Sequence, residues 1–447
     1  MDHQSTFRLL LTGDSIVMRR ISVYGDEPSR RLVDLIRGAD VAFTNLEVLP
    51  NDFRGYPTVE CGGTHLAAPS WVLDDLLAMG FDLFACANNH SLDYSIEGLV
   101  ATIESLERRD VAFAGIGRNL ADARMPVYLD HGTGSVALIA CTSTFGKGQE
   151  AGDQRRDMQG RPGLNPLRFD TTHEVTRDQL EALRTIADRL GLEQQRLERI
   201  HLGFAFPPDA ADIFPFLDAN FREAEQPAIK TTPKTQDLEA IVTWTRDARA
   251  RADTLVVSFH GHEQGANKED PPEFVRAFAH RMIDEGADVV VGHGPHLLRG
   301  MELYRGKAIF YSLGNFVGQN ELVQKLPADA YERFRVDPSK TPSELFRIRT
   351  GGDTKSFPAD ERYWQTVMPI CQFDNGRLDR IEVVSISLGH GEASHRRGRP
   401  RLAEGTEADE ILTRFAALSE EFGTMIEREG ERGVISMASA VAPTSLS

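Results

Sequence analysis

Two histidines in a glycine- and proline-rich turn carry the strongest chemical signal in the sequence. The turn, Gly292–His296, follows the apolar run Ala287–Val291, so His293 and His296 are predicted to project from the carboxyl end of a strand. Ligands bind at that edge of open α/β sheets. Imidazoles held together at a backbone turn suit metal ligation or proton transfer, and the turn therefore predicts one of these two chemistries.

Polar side chains follow several other predicted strands in the same way. One such residue could arise by chance, but the repetition after strand upon strand indicates a single site. The residues are Asp14, Glu47, Asn88, Asn89, His90, Asp93, His260 and Glu263. The amides and imidazole at 88–90 would be costly at a buried strand end unless they found partners. Asp93 is placed to bind the second ring nitrogen of His90, which fixes its tautomer and raises its basicity.

These candidates form a mixed nitrogen and oxygen donor set without a nearby thiolate. Carboxylate and amide oxygens suit calcium, manganese or magnesium, whereas several imidazoles suit zinc, iron or manganese. The spacing of the residues does not choose among these ions. The sequence therefore predicts a divalent metal or an acid/base site, with the metal's identity left open.

Strands and helices alternate through the first part of the chain. The apolar runs Phe7–Thr12, Val41–Thr44 and Phe81–Ala87 predict strands, with amphipathic helices between them. This alternation predicts βαβ units and a mostly parallel sheet, hence the α/β class. Because the carboxyl ends of parallel strands meet at one edge, the polar residues that follow them are expected to come together.

The pattern breaks between residues 146 and 235. A charged amphipathic helix is predicted over Thr176–Glu198, and the proline-rich stretch Ala205–Pro233 is predicted to be irregular. Loops of this length inside a domain are usually lids or binding loops. We interpret 146–235 as an insertion over the site, with dimerisation as an alternative role.

Three regions are predicted along the chain. Residues 1–320 form the core with its insertion, and 321–430 form an extension that completes the second sheet and ends in a helix. The small-residue segment 431–447 is expected to be a disordered tail. Within the extension, Asp374-Asn375-Gly376 lies between two apolar runs and predicts a β-hairpin turn.

The composition of the chain limits the kinds of partner that it is expected to bind. The chain has 447 residues and a net charge of −17, which argues against nucleic acid as a partner because phosphate binding needs a cationic surface. It shows neither a signal-peptide pattern nor a membrane span, so a cytoplasmic location is predicted. The basic segment His395–Arg401 is a candidate grip for an acidic peptide, the alternative being a solvated loop.

Six ordered motifs together resemble a known family. They are Gly13-Asp14, Asn45–Glu47, Asn88–His90 with Asp93, His260 with Glu263, Gly292–His296 and Tyr311–Phe316. This order resembles the bacterial capsule-synthesis family CapA, which includes poly-γ-glutamate synthesis proteins and is a branch of the calcineurin-like metallophosphatases. The resemblance implies a four-layer α/β/β/α sandwich, two sheets flanked by helices, and covers about residues 7 to 320.

The chain also departs from the phosphatase pattern. Metallophosphatases carry Asp-x-His at the first strand, whereas this chain has Asp14-Ser15-Ile16. At the second strand, Glu47 ends an Asn-Leu-Glu motif where the phosphatases have Gly-Asp and a carboxylate that bridges the metals. The clamp of two metals for phosphoryl displacement is therefore expected to be incomplete. A chain of this kind without an anchor is similar to the enzymes that epimerise lasso-peptide precursors. That resemblance implies one calcium ion and His/Asp pairs tethered to it through water.

The epimerase hypothesis assigns each candidate a role. Inverting a Cα centre of a peptide substrate needs one group to remove a proton and another to supply one on the opposite face. The proposed acid/base pairs are His90 with Asp93, and His296 or His293 with Asp14. The proposed metal ligands are Glu47, Asn89, His260 and His293. A carboxylate clamp is assigned to Arg161, Asn165 and Arg168, the alternative being surface arginines on a solvated loop.

Two other hypotheses remain open. A metal-dependent hydrolase would act on phosphoesters or γ-glutamyl amides with activated water. A capsule-synthesis protein of the CapA type could instead be a non-catalytic subunit of a polymer synthase. The oligomeric state is also open, with a homo-oligomer allowed by the sequence.

Overall fold

The computed structural model describes residues 6–132 and 134–437. In the first third of the chain, strands alternate with helices much as the apolar periodicity predicts. The elements are β1 Thr6–Ile16, α1 Glu27–Arg37, β2 Val41–Leu46, α2 Trp71–Met79, β3 Leu83–Ala85, α3 Ser95–Glu107, β4 Ala112–Ala114, β5 Ile116–Gly117, α4 Leu120–Arg124, β6 Val127–His131 and β7 Gly134–Thr142.

The middle of the chain adds a smaller sheet and then resumes the alternation. Its elements are β8 Gly163–Leu164, β9 Phe169–Val175, α5 Arg177–Arg189, α6 Leu192–His201, β10 Phe214–Phe216, β11 Ala219–Glu223, β12 Ala228–Pro233, α7 Thr235–Arg249, β13 Thr254–His260, α8 Glu273–Asp284, β14 Val289–His293, β15 Leu298–Tyr304, β16 Lys307–Leu313 and β17 Asn315–Gly318.

The last part contains short helices followed by an antiparallel hairpin. Its elements are α9 Ala328–Arg333, α10 Pro342–Arg349, β18 Gln365–Asp374, β19 Arg377–Ser387, β20 Arg401–Leu402, α11 Gly405–Glu420, β21 Glu427–Glu429 and β22 Arg432–Ser436, together with 3-10 turns at Asn320–Leu322, Phe357–Ala359 and Glu361–Trp364. None of the helices in the described ranges is long and apolar enough to cross a membrane.

Two large sheets organise these elements. The first has ten strands along the path β21-β22-β19-β18-β1-β2-β3-β4, with β17 beside β1 and β20 beside β19. The second has six strands in the order β15-β16-β14-β13-β7-β6. Strands β1 to β4 run parallel to one another, as do β7, β13, β14 and β16. The prediction of a mixed α/β chain is confirmed.

The two sheets face each other across one hydrophobic core. Leu9 and Phe43 of the first sheet share this core with Val256, Val289 and Phe310 of the second. Helices α1, α2 and α3 cover the other face of the first sheet, and α7 and α8 cover the other face of the second. Each sheet is therefore buried on both faces, which explains why its parallel strands read as continuous apolar runs.

This packing brings the carboxyl ends of the parallel strands to one edge of the molecule. Asp14 pairs in register with Asn45 of β2 and with Asn315 of β17. On the second sheet, His260 pairs in register with His293. Residues far apart in the chain thus become neighbours at this edge.

The insertion is more ordered than the sequence suggests. The stretch predicted to be irregular, Ala205–Pro233, contributes three strands that join β9 in a four-stranded sheet, so that prediction is wrong. The single helix predicted over Thr176–Glu198 is two helices, because Gly191 takes a left-handed conformation between them. The small sheet packs beside α8, where the rings of Phe169 and Phe274 stack at 4.2 Å.

The C-terminal region extends the first, ten-stranded sheet that contains β1, so the prediction that it completes the second sheet is wrong. The hairpin predicted at Asp374-Asn375-Gly376 is confirmed, and β18 pairs antiparallel with β1. Part of the predicted tail is also ordered, because Arg432–Ser436 forms β22 and pairs with β19. The prediction of disorder is wrong there, while residues 438–447 of that tail lie outside the described residues.

A close backbone approach beside Asp14 generates the first prediction. A Cβ at Gly13 would lie 1.9 Å from the carbonyl oxygen of Gly314, so Gly13→Ala must move one of two buried backbones. We expect it to lower the free energy of unfolding by about 3 kcal/mol, measured by urea denaturation. The matched control is Gly25→Ala, whose Cβ would meet nothing within 4 Å. Equal stability of the two variants would contradict this account of the packing.

Candidate metal centre

Acidic, amide and imidazole side chains meet where the parallel strands end. We call this group the site cluster. Asp14, Glu47 and His260 are fully buried in it. Its members are Asp14, Glu47, Asn89, His90, His260, His262, His293 and His296. The structure therefore brings together every residue predicted as a metal ligand and the predicted acid/base histidines.

Asp14 is held at one side of the cluster by two donors. The amide nitrogen of Asn45 donates to its Oδ1 at 2.8 Å, and the backbone N–H of Gly294 donates to its Oδ2 at 3.1 Å. Nδ1 of His296 lies 3.5 Å from Oδ2. Burial would raise the pKa of Asp14, but the hydrogen bond to His296 and the nearby imidazoles outweigh it, and the pKa falls below its ordinary value.

Glu47 has no comparable support. Both of its carboxylate oxygens are buried, and neither has a hydrogen-bond partner within the described chain. The nearest ring nitrogens stand further off: His90 Nε2 and His296 Nδ1 at 3.7 Å, and His260 Nε2 at 3.9 Å. Burial, followed by the negative charges of Asp14 and Asp93, raises the pKa of Glu47 well above its usual value. A buried carboxylate without donors needs a compensating cation.

Three imidazoles face one another beside these carboxylates. Nδ1 of His260 lies 3.0 Å from Nδ1 of His293, and Nε2 of His260 lies 3.2 Å from Nε2 of His262. Burial is the main reason that the pKa of each falls, to about 4 for His293 and well below the usual value for the other two. They are therefore neutral at pH 7, which is the protonation state that binds metals.

The donor atoms form three overlapping groups with the spacing of metal ligands. Within each group, the candidate ligand atoms all lie within 4.8 Å of one another. The groups are Asp14, His260 and His293; Glu47, His260 and His262; and Asp14, Glu47 and His296. Together with the unpartnered Glu47 oxygens, they fit a divalent cation bound by mixed nitrogen and oxygen ligands.

His90 and Asp93 form the pair that their spacing predicts. Nδ1 of His90 lies 2.6 Å from Oδ2 of Asp93, which also accepts the backbone N–H of Leu66 at 2.7 Å. Because a carboxylate only accepts hydrogen bonds, Nδ1 carries the proton and Nε2 is left with a lone pair. That lone pair faces the cluster from the side of Glu47. His90 is thus oriented as a base.

His296 lies at the outer side of the cluster, where it is 9% exposed. Its Nδ1 lies 2.9 Å from the amide oxygen of Asn315, and this contact fixes the orientation of the ring. The other ring nitrogen, Nε2, is not used by this contact. The ring of Phe357 meets it edge-on at 5.3 Å. Residues beyond the core therefore help to close the site.

His293 takes a different position. It is buried more deeply than His296, at 1% exposed, and its Nε2 is paired with Ser258 Oγ at 2.7 Å. Its Nδ1 faces the cluster and lies 3.6 Å from Asp14 Oδ1. These contacts suit His293 to the role of ligand, and they leave His296 as the imidazole nearer to substrate.

The three residues assigned to a substrate clamp are used elsewhere. Arg168 pairs with both oxygens of Asp237, at 2.7 and 2.8 Å, and Asn165 is fully buried and donates to the carbonyl of Ala140. Arg161 donates to the carbonyl of Glu150. These groups satisfy internal acceptors, and the side chain of Asn165 is wholly engaged inside the protein; the assignment of Arg161 and Arg168 to a substrate clamp stays a prediction.

The basic segment His395–Arg401 is likewise engaged within the protein. Arg397 is buried and pairs with Glu321 and Asp353, while Arg401 pairs with Glu392. Burying a guanidinium requires such partners. Most of its charge is therefore neutralised inside the chain, which argues against a free grip for an acidic peptide.

Sequence reasoning missed some members of the site. His262 was visible two residues after His260, and Asn315 lies in the motif Tyr311–Phe316, but neither received a role. Gly62 carried no signal at all. A Cβ there would lie 2.1 Å from the side-chain nitrogen of Asn89, so this glycine permits the loop to close on the cluster.

Comparisons with known proteins agree on one family. A family model described as "Bacterial capsule synthesis protein PGA_cap" matches residues 8–320. The uncharacterized protein y4sH of Sinorhizobium fredii is 34% identical over 96% of this chain and 93% of its own. The capsule biosynthesis protein CapA of Bacillus anthracis is 26% identical over 70% of this chain and 61% of its own.

The similarity of this chain to solved structures is low. A solved structure of a hypothetical protein from Thermus thermophilus aligns with 85% of this chain and 98% of its own, at 13% identity and a TM-score of 0.37. A TM-score at that level carries no argument about fold. The matched family region contains the whole site cluster, whereas Phe357 lies beyond it.

The unpartnered carboxylate predicts metal binding that depends on Glu47. We expect the purified protein to bind a divalent cation, and Glu47→Gln to weaken this binding by at least about 100-fold, because even outer-shell changes cost roughly 10- to 100-fold. Elemental analysis after dialysis measures the bound cation, and calorimetric titration measures its affinity. Glu302→Gln is the matched control, since Glu302 pairs with His280 and Tyr311 elsewhere. Unchanged binding by Glu47→Gln would contradict the assignment.

The raised pKa of Glu47 predicts how cation affinity depends on pH. Without metal, the carboxyl stays protonated up to an unusually high pH, and a bound cation must displace that proton. Lower pH therefore favours the protonated, metal-free form. We expect affinity to fall as the pH is lowered from about 8 to about 5, by up to about tenfold per pH unit for one proton. Titrations in buffers of different ionisation enthalpy count the protons released, and none released throughout that range would contradict the prediction.

Proposed function

The chain belongs to the PGA_cap family of bacterial capsule synthesis proteins, and we propose that it is a divalent-metal hydrolase of the metallophosphatase-like type. The proposed substrate is an amide bond of a γ-linked glutamate polymer. Relatives in this family are named as capsule or PGA biosynthesis proteins, which supports the choice of polymer. A cytoplasmic location stays a prediction.

One observation carries the proposal. Glu47 is buried with no hydrogen-bond donor for either oxygen among the described residues, beside the imidazoles of His90, His260 and His296. Residues that would hold the cation are Asp14, Glu47, Asn89, His260, His262 and His293. A divalent cation at this place would act as a Lewis acid, polarising a substrate oxygen and making water a stronger nucleophile. The imidazole ligands favour manganese or zinc over the calcium implied by the resemblance, because calcium prefers oxygen ligands.

The side chains of this protein supply the proton transfers. Hydrolysis of an amide joins the water oxygen to the carbonyl carbon, breaks the carbon–nitrogen bond and gives one proton to the leaving nitrogen. His90 Nε2 is free to accept a proton from water, because Nδ1–H is held by Asp93. Asp93 stabilises the imidazolium that forms at His90. His296, which lies nearer the surface, enters the step as an imidazolium and gives its Nε2 proton to the leaving nitrogen. Solvent then takes the proton from His90 and replaces the one lost by His296.

An amide fits this site better than a phosphoester. The residue at the position of the phosphatase histidine is Ile16, which is 2% exposed and packs in the hydrophobic core with Val17 and Leu46. It cannot contribute a metal ligand. A clamp that binds two metals around a transferring phosphoryl group would lack that donor.

Peptide epimerisation is a second candidate for the same residues. His90 and His296 are two imidazoles, each oriented through Nδ1 by a different partner, Asp93 and Asn315. Two such groups are what proton removal and return at one Cα requires. Two relatives are named as capsule or PGA biosynthesis proteins, and the resemblance to lasso-peptide epimerases stays a prediction.

One assay distinguishes the two reactions. The protein, loaded with manganese, zinc or calcium, is incubated in heavy water with a γ-linked glutamate decamer, and products are analysed by mass spectrometry. Hydrolysis gives shorter chains, whereas epimerisation keeps the length and adds one deuterium at Cα. We expect shorter chains, and a kcat lowered about 10²- to 10⁴-fold by His90→Gln because a general base is lost.

Controls make this test specific. His280→Gln removes an imidazole that pairs with Glu302 outside the cluster, and it should leave kcat unchanged. His90→Gln should still bind the cation, since it acts on the proton rather than on the metal. Deuterium at full chain length would replace the hydrolase by the epimerase. An unchanged decamer with every cation would refute the proposed hydrolysis of this polymer.

A further inference from the structure

Two arginines beyond the matched family region lie close together without a carboxylate partner. Arg333 ends α9 and Arg349 ends α10, and neither has an acidic group within ion-pairing distance among the residues described. Elsewhere in this acidic chain, arginines commonly pair with Asp or Glu, as Arg397 and Arg168 do. An unpaired, half-buried guanidinium such as Arg349 therefore stands out.

Both arginines contact the same short loop. Arg349 donates to Thr64 Oγ1 at 3.0 Å, and Nη1 of Arg333 lies 3.5 Å from Cys61 Sγ. The guanidinium of Arg349 also stacks over the ring of Phe334 at 4.4 Å, which fixes its orientation. The Arg349 side chain is thus held in place and half-buried, whereas Arg333 is exposed and reaches the loop through its contact with Cys61.

That loop reaches the site cluster. Gly62 lies between Cys61 and Thr64, and a Cβ on it would be 2.1 Å from Asn89 Nδ2 and 2.9 Å from His90 Cε1. Cys61 and Thr64 are one and two residues from Gly62, so both arginines contact the loop within two residues of the position that meets Asn89. A chain-like substrate bound at the cluster can reach them.

The two positive charges act on each other. Burial lowers the pKa of Arg349 first and the charge of Arg333 lowers it further, while the charge of Glu321, which is itself paired with Arg397, partly opposes them. Bringing an anion between them would relieve this repulsion and supply the missing partner. Charge-assisted, bidentate hydrogen bonds make arginine suited to carboxylates.

We propose that Arg333 and Arg349 form a subsite that binds a carboxylate of the substrate while a neighbouring unit of the same chain occupies the site cluster. The proposal rests on the proposed function and names its substrate class as a polyanionic glutamate chain. The protein carries a net charge of −17 and would repel such a chain as a whole. Binding therefore needs local cations, and Arg333 and Arg349 have no ion pair within the described residues.

The binding partner is tested directly. The probe is a fluorescein-labelled γ-linked glutamate decamer, and its Kd is measured by fluorescence anisotropy at low salt. We expect Arg333→Gln and Arg349→Gln each to raise Kd about 10-fold, because each removes a charge-assisted hydrogen bond. Arg349→Lys should recover part of the loss. A γ-linked glutamine decamer, which is uncharged, should bind no better to the wild type than to these variants.

The matched control lies on the same helix. Arg347→Gln makes the same charge change two residues before Arg349, on the opposite face of α10, and should leave Kd unchanged. Thermal unfolding of each variant shows whether it is folded. A Kd raised equally by Arg347→Gln, or unaffected by Arg333→Gln and Arg349→Gln, would overturn the proposal.

Two further arms separate the sources of failure. The Kd measurements are repeated on chelator-treated protein, in which Arg333→Gln and Arg349→Gln should still raise Kd about 10-fold over wild type, so the subsite can be confirmed even if the hydrolase proposal fails. Inorganic phosphate is the competitor in the second arm. Displacement of the decamer by phosphate at lower concentration than by glutarate would assign the subsite to a phosphoryl group and overturn the carboxylate assignment.

Discussion

The buried carboxylate of Glu47 is the constraint on which the rest of the site depends. An uncompensated carboxylate inside a protein costs several kcal/mol, and here neither oxygen receives a hydrogen bond from the described residues. Three imidazoles of the cluster, those of His260, His262 and His293, do not supply that charge, because burial keeps them neutral. A metal ion meets both requirements, since it brings charge to the carboxylate and accepts the lone pairs of neutral imidazoles.

The fold sustains this arrangement by holding the donors on rigid strand ends. Two sheets packed face to face place β1 and β2 opposite β13 and β14, so that Asp14 and Glu47 approach His260 and His293 from different sheets. The close passage of Gly13 against Gly314 lets Asp14 enter the gap. Loops would hold such a charged cluster less tightly, and the cation affinity would fall with the lost preorganisation.

The site also depends on parts of the chain outside the core. Phe357 covers His296, and Tyr363 stacks on Phe357 at 4.2 Å while Lys268 donates to the hydroxyl of Tyr363. The arginines of α9 and α10 approach from the same region through the loop at Gly62. The core thus supplies the reactive groups, and the segment after residue 320 supplies the surroundings that a substrate would contact.

The sequence by itself determined the α/β alternation, the hairpin at Asp374–Gly376 and the candidate histidines of the site, because apolar periodicity and strand-end motifs are local. It did not reveal the strands within Ala205–Pro233, whose pairing is decided by distant partners, or the internal use of Asn165 and Arg168. Only the tertiary structure showed that, among the residues it describes, Glu47 lacks donors and Arg333 and Arg349 lack carboxylate partners. Whether a charge is satisfied depends on its neighbours in space, which residue order does not specify.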